Sequence, residues 1–155
     1  MKASDLLVKC LENEGIKYAF GVPGEEISDF LLSLQNSKKI KFILTRHEQG
    51  AAFMADMYGR LTGNAACCIS TLGPGASNLL TGVANANMDH SPIVVITGQG
   101  STDKLHKESH QILDICEMFK PVTKWTTSIT NSNTIPEIVR KAVRLATFEK
   151  PGATH

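Results

Sequence analysis

No apolar run in this chain approaches the ~20 residues that a membrane-spanning helix requires; runs such as Ile93 to Ile96 are strand-sized. Neither sign of charge dominates, because sixteen Lys and Arg stand against fifteen Asp and Glu for a formal net charge of +1. With no segment concentrating one sign, a nucleic-acid footprint, an acidic tail and electrostatic capture of a polyanion are excluded as leading readings. The four cysteines, Cys10, Cys67, Cys68 and Cys116, lack C-x-x-C spacing, so they read as reduced residues of the core. Cys67 and Cys68 are adjacent and would face opposite sides of a strand. The start, Met1-Lys2-Ala3-Ser4-Asp5, acquires an acid at once and lacks the apolar stretch of a secretory signal, which sets a cytoplasmic expectation.

What is present is the composition of one globular domain: 155 residues, 42% hydrophobic and 20% charged. Ser4 can cap a helix through Leu6, Leu7, Cys10 and Leu11 that stops at Gly15. A strand over Lys17 to Phe20 comes next, then the turn Gly21-Val22-Pro23-Gly24 and a helix through Ile27, Phe30, Leu31 and Leu34. Ile40 to Leu44 is a second strand, and Thr45-Arg46-His47-Glu48 fits a capping box that opens a helix toward Gly63. Ala66 to Thr71 is a strand with no polar alternation until Ser70, the pattern of a strand buried on both faces. Gly73-Pro74-Gly75 breaks it before a helix from Ala76 to Met88. Ile93 to Thr97 is the most apolar strand, Ile112 to Phe119 a short helix and Val122 to Ile129 a further strand. Thr134-Ile135-Pro136-Glu137 is a second capping box, after which Pro151-Gly152 turns the chain toward a strand that is not supplied, as if the sequence were a piece of something longer.

Alternating strands and helices at these distances predict an α/β fold. The expected form is a three-layer α/β/α arrangement with a mainly parallel, doubly wound sheet of about six strands. In such sheets a ligand lies beyond the carboxyl ends of the strands, which selects the loops Gly21 to Glu25, Thr45 to Glu48, Thr71 to Asn78 and Gln99 to Gln111.

Glu48 stands at a strand-to-helix junction. One reading is that it only completes the cap and favours the helix dipole; the other is that the small residues Gly50, Ala51 and Ala52 behind it let a flat ring approach. Apolar surroundings would then raise its pKa and suit it to proton exchange. Thr71-Leu72-Gly73-Pro74-Gly75-Ala76-Ser77-Asn78 is either a tight connection or a ligand contact, and lacks both the Lys-Ser/Thr of a P-loop and G-x-G-x-x-G spacing. His106 and His110 are four apart but form H-x-E-x-H without a third ligand, so no metal site is assigned. A polar loop over the crevice, with Gln111 and Lys107 facing a substrate, fits better. No serine sits in a G-x-S-x-G elbow and no cysteine shows a nucleophile signature.

Gly21-Val22-Pro23-Gly24, Arg46 to Ala55, Leu72 to Asn78 and Asp89 to Gln99 occur together in an order and spacing that resemble one family. The chain is similar throughout to the N-terminal, pyrimidine-binding domain of acetolactate synthase large subunits, which are thiamine-diphosphate enzymes. The resemblance implies that Glu48 is the catalytic glutamate, hydrogen-bonding the aminopyrimidine nitrogen para to the amino-bearing carbon and favouring the imino tautomer. The cofactor then loses its thiazolium proton, attacks pyruvate, releases carbon dioxide and joins the remainder to a second 2-oxo acid. It also implies that Pro23, Thr71, Gly75 and Asn78 line the pyrimidine pocket, and that Gln111 is a catalytic glutamine near the reacting centre.

The same resemblance places the diphosphate and magnesium in a separate C-terminal domain with a Gly-Asp-Gly motif, absent here along with the middle domain. Residues 1–155 would thus be one half of a site completed by a neighbouring subunit in a homodimer or tetramer, and inactive alone. Met57 stands where many members of that family carry Gly, and the stretch His106 to His110 differs from the loop of the biosynthetic, herbicide-targeted enzymes, leaving open the second 2-oxo acid, the use of FAD and an anabolic or catabolic role. Two alternatives are a stand-alone subunit of a split 2-oxo acid decarboxylase and a non-catalytic regulatory module, although a non-catalytic domain has no chemical need of Glu48.

Overall fold

The structure, a computed structural model, describes residues 1–107 and 109–155. Helical spacing of apolar residues places α1 at Ala3–Asn13, and Gly15, at φ +84°, supplies the left-handed reversal into β1, Tyr18–Gly21. The expected Ser4 cap lies inside the first turn of α1; the Lys2 N–H instead donates to Asp5 Oδ2 at 3.2 Å. After a short 3₁₀ turn come α2 (Ser28–Gln35), β2 (Lys41–Leu44), α3 (Glu48–Thr62) and β3 (Ala66–Ser70). The remaining elements are α4 (Gly73–Met88), β4 (Ile93–Thr97), α5 (Ile115–Phe119), α6 (Ile135–Thr147) and β5 (Ala153–Thr154).

The five strands are all parallel, in the order β2-β1-β3-β4-β5, with helices on both faces. Leu11, Ile16, Ile69 and Val94 pack with the stripes of α1, α2 and α6 on one face, while Ala52, Leu79, Val83 and Phe119 join α3, α4 and α5 on the other. Adjacent residues of β3 divide between these cores, Cys67 in the first and Cys68 in the second, as strand alternation requires. Burial pushes both thiols up, which removes them as nucleophiles. The chain leaves β1 toward one edge and resumes at β3 on the other side, so the switch point lies between the carboxyl ends of β1 and β3. Among the described residues no helix is long and apolar enough to cross a membrane.

The strand expected at Val122 to Ile129 does not form. Pro121 lies in a 3₁₀ turn at Lys120–Val122, and only Trp125 bridges to Thr154, with Lys124 N–H donating to Ala153 O at 2.8 Å. The Lys124 ammonium ties this segment to the end of α6 through the carbonyls of Leu145, Phe148 and Lys150. Conversely, the residues after Pro151-Gly152 do enter the sheet, Ala153 and Thr154 pairing with Ile93 and Val94. The capping box expected at Thr134 is absent too, because its hydroxyl donates backward to Asn131 O at 2.7 Å.

On the face that carries the second core, α4 lies close against α3: a Cβ built on Gly82 would lie 2.6 Å from Ala52 Cβ and 3.1 Å from Phe53 N. Below that contact Asp56, buried on α3, accepts from Arg60 Nε at 2.8 Å and from Asn85 Nδ2 of α4 at 2.7 Å. Burial alone would raise the Asp56 carboxyl, but these donors outweigh it and hold the group below its usual range. Gly82→Ala should therefore destabilise the chain by about 1–3 kcal/mol through overpacking, measured by urea unfolding. Gly50→Ala, whose added Cβ meets nothing within 4 Å, should not destabilise it.

Candidate active site

The expected box from Thr45 to Glu48 gives way to a tighter start. His47 is the N-cap of α3, its Nδ1 accepting from Gln49 N–H at 3.2 Å, while the Thr45 hydroxyl donates to His47 O at 3.1 Å. With the imidazole doing the capping, the Glu48 side chain points inward, only 9% exposed, toward α4. Its Oε2 accepts from Asn78 Nδ2 at 3.0 Å, and its Oε1 accepts no hydrogen bond from the described residues. Gly75 borders Oε1: a Cβ there would stand 3.3 Å from that oxygen and 2.8 Å from Thr71 Cγ2. Glycine thus keeps a slot open beside a buried, oriented acceptor. Such a slot admits the edge of a flat heteroaromatic ring that offers an N–H, and its carboxylate can hold a hydrogen bond or a proton at the ring.

Glu48, Thr71, Gly75 and Asn78 converge at the switch point. Pro23 is exposed on the turn after β1, and Gln111, exposed and at φ +56°, packs its backbone against Gly73 at the start of α4. The segment reaching from Gln99 to Gln111 thereby touches the same end of the sheet; Glu108, part of the H-x-E-x-H stretch, lies outside the described residues. Ala51 and Ala52 do not face the crevice as expected. Both are fully buried in the second core, because the face of α3 opposite solvent has to pack on α4 and the sheet.

The residue that sequence reasoning missed is Glu26. Its Oε2 accepts the Thr71 hydroxyl at 2.5 Å, across 45 positions of sequence. That hydrogen bond holds the Glu26 carboxyl below its ordinary value against the opposing effect of burial, with a further contribution from His110. The only signal available was a second acid after Gly-Val-Pro-Gly, with no periodicity to assign it. A cavity of about 480 Å³ lies on the other side of Glu26, bordered by Gly98, Ile129 and His155. Its one imidazole is already engaged: both His155 ring nitrogens are bonded, to the Thr97 and Thr126 hydroxyls at 2.9 and 2.6 Å, and burial lowers the ring's pKa to about 4. The crevice at Glu48 is the better candidate.

Thr71→Val deletes the donor while retaining volume, and the Glu26 titration midpoint should rise toward 4.5, read by carboxyl-carbon NMR. Because the folded midpoint is depressed, this bond stabilises the chain above the unfolded pKa. The contribution is lost as pH falls through the lower folded midpoint, and the valine variant should lack that component of acid sensitivity.

Residues 1–118 match the N-terminal TPP binding domain of thiamine pyrophosphate enzymes. The chain is 43% identical over 155 residues to the probable acetolactate synthase large subunit of Methanocaldococcus jannaschii, covering 100% of this chain and 26% of that one. It is 40% identical over 152 residues to the acetolactate synthase of Bacillus subtilis, covering 98% and 26%. To the glyoxylate carboligase of Escherichia coli O157:H7 it is 39% identical over 153 residues, again covering 98% and 26%. The chain spans about 26% of the length of these curated relatives. A match over so much of this sequence, on a fold whose switch point carries the Glu48 slot, places the chain in the thiamine pyrophosphate enzyme family as an N-terminal TPP-binding domain.

Proposed function

We propose that the chain is the aminopyrimidine-binding half-site of a cytoplasmic, acetolactate synthase-type carboligase that uses pyruvate as its first 2-oxo acid. The observation that carries this reading is the buried Glu48 carboxylate, held on one oxygen by Asn78 and bordered on the other by Gly75. An aminopyrimidine fits that carboxylate, since it is flat and presents a ring nitrogen that can share a proton with it. Names among the relatives, acetolactate synthase and glyoxylate carboligase, support the reaction class.

When bound, the cofactor supplies the electron sink for decarboxylating a 2-oxo acid and forming a new carbon–carbon bond. The chain's own part is positional and protonic. Glu48 holds a proton at the ring nitrogen para to the amino-bearing carbon, favouring the tautomer whose exocyclic nitrogen is basic. Asn78 fixes the carboxylate plane, Gly75 and Thr71 form the floor, Pro23 forms the lip, and Gln111 faces the reacting carbons. In this reading the diphosphate, its magnesium and any FAD belong to other domains of the parent enzyme. Exposed apolar residues Phe53, Met54, Met57 and Leu61 on the outer face of α3 support contact with the diphosphate-binding domain of a neighbouring subunit in a homodimer or tetramer.

The test is acetolactate formation from pyruvate with thiamine diphosphate and magnesium, before and after adding a purified diphosphate-binding domain from the same source. Turnover should appear only on mixing, and Glu48→Gln should reduce it by about 10²–10⁴-fold with an unchanged thermal midpoint. Turnover by the chain alone, or full turnover by the glutamine variant, would contradict the reading. Gly75→Ala should close the slot, weakening binding of 4-amino-5-hydroxymethyl-2-methylpyrimidine at least about tenfold, a loss of roughly 1.4 kcal/mol. Calorimetric titration of the folded variant measures it.

A further inference from the structure

Thr71 is more constrained than a pocket-lining residue has to be. Its side chain is wedged between two glycines: a Cβ on Gly24 would lie 2.3 Å from Thr71 Cβ and 2.7 Å from Oγ1, and a Cβ on Gly75 would lie 2.8 Å from Thr71 Cγ2. Both Oγ1 and Cγ2 border Gly24, Cγ2 at 3.0 Å, but only Cγ2 also borders Gly75. The hydroxyl goes to Glu26 at 2.5 Å, within the range of a charge-assisted O–H···O⁻ bond, and the methyl goes to the Gly75 side where Glu48 Oε1 stands.

Threonine has a stiff χ1 with three staggered wells, so whichever group binds the hydroxyl decides where the methyl points. Rotation away from Glu26 would turn the hydroxyl or the hydrogen toward the slot, exchanging an apolar floor for a polar or empty one. Glu26 is itself placed by its turn and by its close approach to Gly98. It sits in the 3₁₀ turn Glu25–Ile27, whose Ser28 hydroxyl donates back to Glu25 O at 2.6 Å, and its Cβ is 3.1 Å from where a Gly98 Cβ would stand at the end of β4.

We infer that Glu26 is a positioning residue of the site: by accepting the Thr71 hydroxyl, it fixes the rotamer that presents the Thr71 methyl to the ring slot beside Glu48. This assignment rests on the aminopyrimidine reading of that slot. Glu26 makes no contact with the ring in this role and acts through Thr71 alone.

The test uses the full chain. Three-bond couplings from Thr71 Cγ2 to the backbone nitrogen and carbonyl carbon report χ1 without any ligand, and calorimetry with 4-amino-5-hydroxymethyl-2-methylpyrimidine reads the slot. Wild type should show one rotamer. Glu26→Ala should show averaged couplings and at least a tenfold loss of affinity, whereas Glu26→Gln, which keeps an acceptor oxygen, should restore one rotamer and bring affinity within about threefold of wild type. A single rotamer in Glu26→Ala, or averaged couplings with unchanged affinity, would overturn the assignment. If the wild-type chain binds no pyrimidine, the aminopyrimidine reading fails, and the assignment's claim on the slot fails with it; the couplings still decide whether Glu26 sets the rotamer.

Discussion

The crevice depends on how closely α4 can lie against α3. At Gly82 only the Ala52 methyl stands between the helices, and above and below that contact the two are joined by a carboxylate of α3 accepting from an asparagine of α4. The lower bridge, Asp56 to Asn85, is buried and reinforced by Arg60; the upper bridge, Glu48 to Asn78, stands at the carboxyl end of the sheet. Hydrogen bonds to a charged acceptor are directional and relatively strong, so together they fix the rotation of α3 about its axis as well as its distance. A wider gap would leave Glu48 in solvent, where neither its orientation nor its proton could be controlled.

Two carboxylates thus flank one threonine. Glu26 takes the Thr71 hydroxyl and Glu48 lies on the methyl side, past Gly75. Their surroundings divide the work: one carboxylate is consumed by an internal hydrogen bond, while the other keeps an oxygen directed at the slot. The His47 cap makes this possible, since a carboxylate that has to cap its own helix cannot also face the neighbouring one.

Much of this was legible in the sequence because it is periodic. Uninterrupted apolar residues from Ala66 to Ile69 mark a strand covered on both faces, and the stripes of α1 and α6 mark the helices that cover it. The strand-to-helix junction at Glu48 comes from the same pattern, as do the left-handed stops at Gly15 and Gly63. Local signals failed where a tertiary partner outbid them. Val122 to Ile129 has strand composition, yet Pro121 and the Lys124 anchor on α6 leave it a single bridge. Both capping boxes matched in spacing but lost their hydroxyls to nearby carbonyls. Glu26 could not be found at all from spacing, because its partner is far away in sequence and close only through the parallel order of β1 and β3.

Whether Glu48 holds a proton against a pyrimidine ring nitrogen is decided most directly by ¹⁵N NMR of ring-labelled 4-amino-5-hydroxymethyl-2-methylpyrimidine bound to the chain, compared between wild type and Glu48→Ala. In wild type the nitrogen para to the amino-bearing carbon should be protonated or strongly hydrogen-bonded, and in the alanine variant it should return to the free, unprotonated shift. A bound ring whose nitrogen shift is the same in both proteins would contradict that role for Glu48.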